Sequence, residues 1–363
     1  MKNGNLRLKY HFEPKKGWIN DPNGLIFFGG KYHAFFQYNP YAAKWGKMHW
    51  GHAVSGDLLN WEELPAALYP DAPYENSGGC FSGSAVCGGD GMLYLFYTSV
   101  GKETGQTVSM AFSRDGTRFE KYAGNPIISK NPQGFKNFRD PKVAKIDGIY
   151  RMVIGAGDKT CGKVLLFESA DLLNWKYAGV LFGGGEFKDC IECPDLFKLG
   201  DKYVLMFSKI GEKLKSVYFV VGNLKDGALT DYSVCNPENG IDFYAPQTFA
   251  RGDKRIMIGW MYHWGKRPPF GCKFAGALSI PRELTLNDGK IYNFPVDSAR
   301  RLLKPQSEYV SFHGNEIEFS DHKNKKTAFV MPVEPKRVDI LEDTKTVEVF
   351  LNGGECSYTF WLR

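Results

Sequence analysis

Three carboxylate side chains occur at nearly the same distance before a glycine that recurs along the chain. Asp21 lies nine residues before one copy of this glycine, and Asp140 and Glu192 each lie eight residues before later copies. Capping of a turn, or pairing with Arg139, would explain any one of these acids alone. Buried carboxylates are costly unless they are paired or functional, and glycoside hydrolysis requires two carboxyl groups that flank the bond to be cleaved. Three acids at one phase of a repeat therefore predict an active site for glycoside hydrolysis.

The recurring glycine belongs to a turn that leads into an apolar strand. Its five copies are Gly30, Gly91, Gly148, Gly200 and Gly252. The spacings between them are 61, 57, 52 and 52 residues. A second motif, a Ser-x-Asp turn, interleaves with the first at residues 55–61, 113–116 and 169–175. Units of this length made of short strands are typical of propeller blades. Two motifs in phase argue against an all-β sandwich with accidental similarity, so we predict an all-β fold with a five-bladed β-propeller.

The strand before each recurring turn is expected to be the innermost strand of its blade. Equivalent positions on successive innermost strands converge on the propeller axis. These positions hold Asp21, Ser82, Asp140, Glu192 and Tyr244. The following strand carries Gln37 in the first unit and Trp260 in the fifth, at the same end. An amide and an indole at the rim would suit a sugar, which offers hydroxyl groups and an apolar ring face.

Three short motifs, in order and in register, resemble the signature of family 32 of the glycoside hydrolases. This family contains the invertases and fructan hydrolases, which act on β-fructofuranosides. The motifs are Trp18-Ile-Asn-Asp-Pro-Asn-Gly24, Arg139-Asp-Pro141 and Glu192-Cys-Pro-Asp195, and Phe81-Ser-Gly83 and Trp260 also match. The family fold, a five-bladed propeller followed by a β-sandwich, agrees with the repeat count.

The resemblance implies a retaining double displacement in which Asp21 attacks the anomeric carbon of fructose. Glu192 would act as general acid and then as general base for water, and Asp140 would hold fructosyl hydroxyls and stabilise the transition state. The residues implied to line the pocket for the terminal fructose are Asn20, Gln37, Trp45, Phe81, Ser82, Arg139, Tyr244 and Trp260. Such chemistry places the two working carboxyl groups about 5 to 5.5 Å apart.

The repeating sequence pattern ends after the fifth repeat. We predict a propeller over residues 1–294, a linker helix over 295–305 and a small, shortened C-terminal β-sandwich-like domain over 306–363. About sixty residues bury little core alone, so this domain is expected to pack against the propeller. Because the sandwich of the family is normally much larger, we expect an uncovered apolar sheet face that a second copy covers, which predicts a homodimer.

Composition narrows the remaining classes of function. The 363 residues are 43% hydrophobic and 24% charged, which is ordinary for a globular protein. The net charge of +6 is scattered along the chain, so we expect no nucleic-acid partner. We also expect no membrane span and a cytoplasmic protein, because the start of the chain lacks an apolar signal segment. Cys190 and Cys193 have metal-ligand spacing, but no second pair follows, so neither a metal nor another cofactor is predicted.

The predicted function is a β-fructofuranosidase that releases terminal β-D-fructofuranosyl units from sucrose or fructooligosaccharides. A fructosyltransferase, in which a sugar replaces water at the second step, would use the same residues. A non-catalytic sugar-binding propeller is the third interpretation. The sequence leaves the substrate open between sucrose, sucrose 6-phosphate, and inulin-type or levan-type chains.

Overall fold

A computed structural model describes residues 7–210, 216–261 and 272–362. The described chain is nearly all-β. Its helical elements are one 3₁₀ turn, Pro73–Glu75, and one α-helical turn, α1, Asp297–Arg300. Within the described residues no helix has the length and apolar character needed to cross a membrane.

The first three sheets are each built from four strands that follow one another along the chain, and a fifth strand, β19 Phe274–Ala275, joins the first sheet later. The first sheet contains β1 Gly17–Phe28, β2 Lys31–Asn39, β3 His49–Ser55 and β4 Trp61–Leu68. The second contains β5 Gly79–Cys87, β6 Leu93–Gly101, β7 Gly105–Ser113 and β8 Glu120–Lys121. The third contains β9 Asn137–Ile146, β10 Ile149–Gly157, β11 Gly162–Ser169 and β12 Lys176–Gly184.

Two further sheets continue the series. The fourth contains β13 Ile191–Leu199, β14 Lys202–Lys209, β15 Val217–Lys225 and β16 Ala228–Cys235. The fifth begins with β17 Tyr244–Arg251 and β18 Lys254–Trp260. The chain then crosses to the first sheet, where β19 Phe274–Ala275 pairs in parallel with β1. It returns to complete the fifth sheet with β20 Arg282–Asn287 and β21 Lys290–Pro295.

The recurring glycines lie in the turn between the first and second strands of each sheet, as the repeat predicted. Their φ angles are 82° at Gly30, 77° at Gly91, 82° at Gly148, 62° at Gly200 and 61° at Gly252. A side chain is strained at these angles, whereas glycine adopts them readily. The glycines therefore recur because five similar hairpins require this backbone conformation.

The Ser-x-Asp motif lies between the third and fourth strands of the first three sheets. In its first copy, the Ser55 hydroxyl donates to the Asp57 carboxylate at 3.1 Å and accepts from the Leu58 amide at 2.9 Å. The tryptophans that follow, Trp61 and Trp175, are partly buried against the hydrophobic core. Both tryptophans therefore contribute to the hydrophobic core.

The first strands of the five sheets form a closed series. β1 contacts β5, β5 contacts β9, β9 contacts β13, β13 contacts β17, and β17 contacts β1. The sheets are thus arranged around their first strands, which is where the repeat predicted that the acidic positions would converge.

Two smaller sheets follow the fifth. A four-stranded sheet contains β22 Leu303–Lys304, β26 Val338–Glu342, β27 Thr346–Leu351 and β28 Cys356–Trp361. A three-stranded sheet contains β23 Val310–His313, β24 Glu316–Ser320 and β25 Lys326–Val330. The closing hairpin is formed by β27 and β28. The linker helix is shorter than predicted, because the chain joins the four-stranded sheet at Leu303, where β22 pairs with β26.

The C-terminal sheets pack against the ring of sheets, as expected for so small a domain. Arg282 of β20 is fully buried, and its guanidinium donates to Glu238 at 2.6 Å and to Glu348 of β27 at 2.5 Å. On the same side, His11 bonds to Asp343 at 2.8 Å and to Glu348 at 2.6 Å. Buried charges are stable only when they are paired and hydrogen-bonded, so these contacts join the two parts of the chain at defined points.

The uncovered apolar sheet face that we expected is not present on the three-stranded sheet. Its apolar residues Ile317 and Phe319 are fully buried, and the Phe319 ring stacks on Phe360 at 5.0 Å. Its alternate positions are mostly polar, as in the ion pair between Glu318 and Lys326. Strand alternation accounts for the difference, because even a short sheet can bury one face and solvate the other.

Candidate active site

Each of the five first strands is interrupted by a β-bulge near its beginning. In three of the strands the bulge contains a non-glycine residue with positive φ just before a proline. These residues are Asp140 at 66°, Cys193 at 48° and Ala245 at 47°. Such angles are uncommon for residues other than glycine, and bulges turn side chains away from the direction set by the ladder. The bulges therefore decide where the neighbouring side chains point.

The strand pairing corrects one step of the sequence analysis. Arg139 pairs with Gly155 just before its bulge, and Glu192 pairs with Ser208 just before its own. Glu192 is thus equivalent to Arg139, and Asp140 is equivalent to the residue after Glu192. Asp140 and Glu192 were predicted to occupy equivalent positions of their strands, and this prediction is wrong by one residue. The recurring glycine is the second residue of the turn after β9 but the first residue of the turn after β13.

The carboxylates converge despite this difference, because Arg139 and Asp140 both reach across to β13. The Arg139 guanidinium donates to Oε1 of Glu192 from Nη2 at 2.6 Å and from Nε at 3.2 Å. The Asp140 carboxylate accepts a hydrogen bond from the Cys193 amide at 2.9 Å. A bulge thus lets two consecutive residues of one strand contact the next strand.

Asp21 has one bound carboxylate oxygen and one oxygen without a partner. The Ser82 hydroxyl donates to Oδ2 at 2.8 Å. Oδ1 is buried and accepts no hydrogen bond from the residues that the structure describes. Burial raises the pKa of Asp21, the negative charge of Glu192 adds to this, and the Asn20 amide and Ser82 hydroxyl oppose it. The geometry leaves one oxygen of Asp21 available for contact with another molecule.

Glu192 is held by both of its oxygens. Arg139 pairs with Oε1, and the Tyr244 hydroxyl donates to Oε2. Burial, together with the negative charge of Glu192, raises the pKa of Tyr244 well above its usual range, so this phenol stays protonated and remains a donor. The side chains of Arg139 and Glu192 are 12% and 14% exposed, so a small molecule can reach them from solvent.

Asp140 lies deeper than the other two acids. Its amide donates to the Thr98 hydroxyl at 2.8 Å, and its Oδ2 lies 3.6 Å from the Cys193 thiol. The same thiol is 3.8 Å from Oδ2 of Asp21, so Cys193 contacts both carboxylates. Burial raises the pKa of Asp140 to about 7; the Arg139 charge opposes this shift, and the charges of Glu192 and Asp21 add to it.

We expect the variant Asp140→Asn to be more stable than the wild type at pH 8 but not at pH 4. The folded pKa of Asp140, about 7, exceeds the reference value of 3.8, so the folded state keeps a proton that the unfolded state loses between these values. Stability therefore falls as pH rises across this window. Asn does not titrate, and the gap should reach about 1–4 kcal/mol above pH 7. Urea unfolding at several pH values measures it.

A matched control for this prediction is Asp201→Asn, because the side chain of Asp201 is 84% exposed and water already stabilises its charge. Its free energy of unfolding should stay within about 0.5 kcal/mol of the wild type, as for most surface changes. A constant difference between Asp140→Asn and the wild type over the whole range would contradict the assignment of a buried, protonated Asp140.

The remaining predicted pocket residues divide into buried and accessible ones. Asn20 is buried and accepts from the Trp18 indole at 2.7 Å. Gln37 is buried and donates to the carbonyl of Cys80 at 3.0 Å. Trp260 is fully buried, with its ring 5.7 Å from that of Trp18. Gln37 and Trp260 are thus buried where an exposed rim was predicted, and their contact with a sugar stays a prediction.

Two other predicted residues lie at the surface. Trp45 is 45% exposed, and its ring centroid is 6.1 Å from that of half-buried Phe81. Phe81 immediately precedes Ser82, which holds Asp21. The aromatic side chains accessible beside the acid cluster are thus Trp45 and Phe81.

The structure also shows contacts that the sequence analysis missed. Cys193 was not among the predicted site residues, but its amide and thiol contact the acid cluster. Asp195, the last residue of the third motif, accepts from Lys142 at 3.1 Å and from the Thr248 amide at 2.7 Å. No local pattern links Lys142 to Asp195, because they lie on different strands 53 residues apart in the chain.

Comparison with known proteins relates this chain to a known family. Residues 11–295 match the family model described as "Glycosyl hydrolases family 32 N-terminal domain". The chain is 39% identical over 315 residues to a sucrose-6-phosphate hydrolase of Escherichia coli, covering 81% of this chain and 65% of that protein. It is 40% identical over 333 residues to a raffinose invertase of Escherichia coli, covering 85% of this chain and 69% of that protein. The chain thus spans about two thirds of the length of these relatives.

The structure also resembles a solved one. A mutant of the family 32 β-fructofuranosidase of Bombyx mori, solved in complex with sucrose, superimposes with a TM-score of 0.88 at 30% sequence identity. The match covers 99% of this chain and 89% of that one.

Proposed function

The chain belongs to family 32 of the glycosyl hydrolases, and from this membership we propose that it is a β-fructofuranosidase. It releases terminal β-D-fructofuranosyl units from sucrose or fructooligosaccharides. One observation carries the proposal: Asp21, Asp140 and Glu192, from three different sheets, meet at one end of the ring of first strands. A pair of carboxyl groups around one bond is what glycoside hydrolysis needs.

The proposed architecture is a five-bladed β-propeller with a reduced sandwich-like domain. The closed series of contacts among the five first strands supports the propeller, as does the similarity to the Bombyx mori enzyme. We propose a catalytic domain over residues 1–294, a linker over 295–305 and a C-terminal β domain over 306–363. The early pairing of β22 means that the linker already contains the first strand of the C-terminal sheet.

In the first proposed step, an oxygen of Asp21 forms a bond to the anomeric carbon of fructose. The glycosidic bond breaks, and Glu192 donates its proton to the leaving oxygen. The partnerless Oδ1 of Asp21 suits this role, because attack from it breaks no hydrogen bond to the described residues. The hydrogen bond from Ser82 holds the other oxygen, and so the direction of the carboxylate.

In the second step, Glu192 takes a proton from water, and the water oxygen forms a bond to the anomeric carbon as the bond to Asp21 breaks. Two displacements on one carbon retain its configuration. Arg139 and Tyr244 fix the orientation of Glu192 in both steps. We assign the binding of fructosyl hydroxyls to Asp140 and Arg139, and a separation of about 5 to 5.5 Å between Asp21 and Glu192 stays a prediction.

A substrate panel tests the proposed function directly. The panel contains sucrose, sucrose 6-phosphate, raffinose, inulin and levan, and the released sugars are measured by chromatography. We expect fructose from at least one of these, with glucose and fructose in equal amounts from sucrose. Kestose-type products at high sucrose would instead identify a fructosyltransferase. Sugar binding without any release would favour the non-catalytic propeller.

Location and assembly stay proposals. The eight cysteines are all free thiols, which supports a cytoplasmic location because secreted proteins commonly pair theirs. The homodimer was predicted on an apolar sheet face, but the apolar residues Ile317 and Phe319 of the three-stranded sheet are buried within the chain. Sedimentation at micromolar concentration decides whether two copies associate through another surface.

A further inference from the structure

In the three bulges with a positive-φ residue before a proline, the amide of that residue is bonded by a side chain of the preceding sheet. The Asp140 amide donates to the Thr98 hydroxyl at 2.8 Å, the Cys193 amide to the Asp140 carboxylate at 2.9 Å, and the Ala245 amide to the Ser208 hydroxyl at 3.0 Å. A strained backbone conformation persists only where surrounding contacts enforce it. These hydrogen bonds between sheets are such contacts.

Thr98 and Ser208 occupy the same position in their sheets. Each is fully buried on the second strand and pairs with the residue just before the bulge of its own sheet. The third sheet has Gly155 at this position, and a Cβ there would lie 1.9 Å from the carbonyl oxygen of Ile191. No side chain fits at Gly155, and the Asp140 carboxylate takes the place of the hydroxyl. The fold thus directs one side chain at each of the three bulge amides.

Thr98 joins two parts of the acid cluster. Its hydroxyl oxygen accepts from the Asp140 amide, and the hydroxyl donates to the carbonyl of Ser82 at 3.2 Å. Ser82 in turn holds Asp21 through its own hydroxyl. Thr98 therefore fixes the peptide between Arg139 and Asp140 relative to the residue that holds Asp21.

A second hydroxyl of the same sheet holds the far side of the bulge at Asp140. Ser84 is fully buried, donates to the carbonyl of Pro141 at 2.9 Å and accepts from the amide of Val143 at 2.9 Å. Asp140 and Pro141 are the two residues of this bulge. Because the second sheet holds the bulge from both ends, Thr98 acts on a segment that is otherwise fixed.

We propose that Thr98 is a positioning residue for catalysis, which holds the Arg139–Asp140 peptide so that both side chains point into the acid cluster. The proposal rests on the proposed function. Arg139 donates to Glu192, and Asp140 accepts from the Cys193 amide. These contacts start from consecutive residues, so a rotation of the peptide between them would move both. A displacement of about 1 Å at a reacting group can cost about 10²-fold in rate.

The variant Thr98→Val removes the hydroxyl and keeps the shape of the side chain. We expect kcat to fall about tenfold on the substrate of the panel that the wild type hydrolyses fastest, as for loss of one hydrogen bond in the transition state. KM should stay within about twofold, because the displaced groups act in the transition state. Thr98→Ser, which keeps the hydroxyl, should restore kcat to within about twofold of the wild type.

The matched control is Thr107→Val. Thr107 is also buried in the second sheet, and its hydroxyl bonds to that of Ser99 at 2.8 Å within the same sheet. This variant should keep kcat within about twofold. A kcat of Thr98→Val within twofold of the wild type, equal losses in Thr98→Val and Thr107→Val, or a loss confined to KM would overturn the positioning role.

Hydrogen exchange of the Asp140 amide tests the same contact without turnover. Loss of the acceptor in Thr98→Val should speed this exchange at least about tenfold, and Thr107→Val should leave it unchanged. An unchanged rate in Thr98→Val would refute the contact. If Thr98→Val does not fold, Thr98→Ala is measured in its place, because its smaller side chain lets water reach the Asp140 amide. Absence of fructose release from every substrate would instead remove the proposed function, and the exchange rates would still show whether Thr98 holds Asp140.

Discussion

Replacement of Asp21 by Asn should reduce the turnover of sucrose by at least about 10⁴-fold, as expected for loss of a covalent nucleophile. Asn has the same shape, but its amide oxygen cannot form a stable glycosyl ester. Folding should survive, because the Ser82 hydroxyl can still donate to the amide oxygen and a buried carboxylate with a raised pKa has been removed. Glucose release at saturating sucrose measures the loss, and urea unfolding measures stability.

The variant Ser82→Ala provides a graded comparison for Asp21→Asn. It keeps the carboxylate and removes one hydrogen bond of 2.8 Å, which should cost about tenfold in kcat. If Asp21→Asn kept turnover within tenfold of the wild type, the nucleophile would have to be another group. If Asp21→Asn lost both turnover and folding, Asp21→Ser would be measured in its place, because serine also lacks the carboxylate and has a smaller side chain.

Replacement of Glu192 by Gln should reduce the turnover of sucrose by roughly 10²- to 10⁴-fold, the usual contribution of acid–base assistance. Gln cannot donate a proton to the leaving oxygen, although its amide oxygen can still accept from Arg139. The loss in kcat/KM should be much smaller with 4-nitrophenyl β-D-fructofuranoside, because nitrophenolate leaves without a proton. This difference between substrates separates loss of the general acid from general disruption of the site.

The matched control for Glu192→Gln is Glu168→Gln. Glu168 also pairs with an arginine, Arg151, at 3.0 Å, but it lies on β11, away from the acid cluster. It should keep sucrose turnover within about twofold, as for most surface changes. Equal losses on sucrose and on the nitrophenyl substrate would contradict the role of Glu192 as general acid.

The sequence predicts structure best where a local requirement of the backbone repeats along the chain. The five turn glycines are needed for φ angles near 60° to 80°, and the Ser-x-Asp turns satisfy their own backbone amides. Both are properties of a few consecutive residues, so they are visible without a fold. Their spacing predicted the number of strand units and the strands that lie innermost. The motifs around Asp21, Asp140 and Glu192 predicted the family, which the family model confirms, and the catalytic roles of these acids stay predictions.

The direction of side chains could not be read in the same way. A strand reverses the side of each successive residue, so one residue of slip changes every assignment. The assumed common phase failed for this reason, because Gly148 is the second residue of the turn after β9 whereas Gly200 is the first residue of the turn after β13. The burial of Gln37 and Trp260 likewise depends on how neighbouring sheets enclose them, not on their own strands.

The five recurring glycines and the three motifs that contain the acids are thus properties of the chain as written. The tertiary structure alone decided which oxygen of Asp21 is without a partner, that Arg139 and Tyr244 hold Glu192, and that Cys193 contacts two carboxylates. The physical reason is separation in the chain: the bonds from Ser82 to Asp21, Arg139 to Glu192 and Tyr244 to Glu192 join residues 61, 53 and 52 positions apart. Such contacts exist only after the sheets close into a ring.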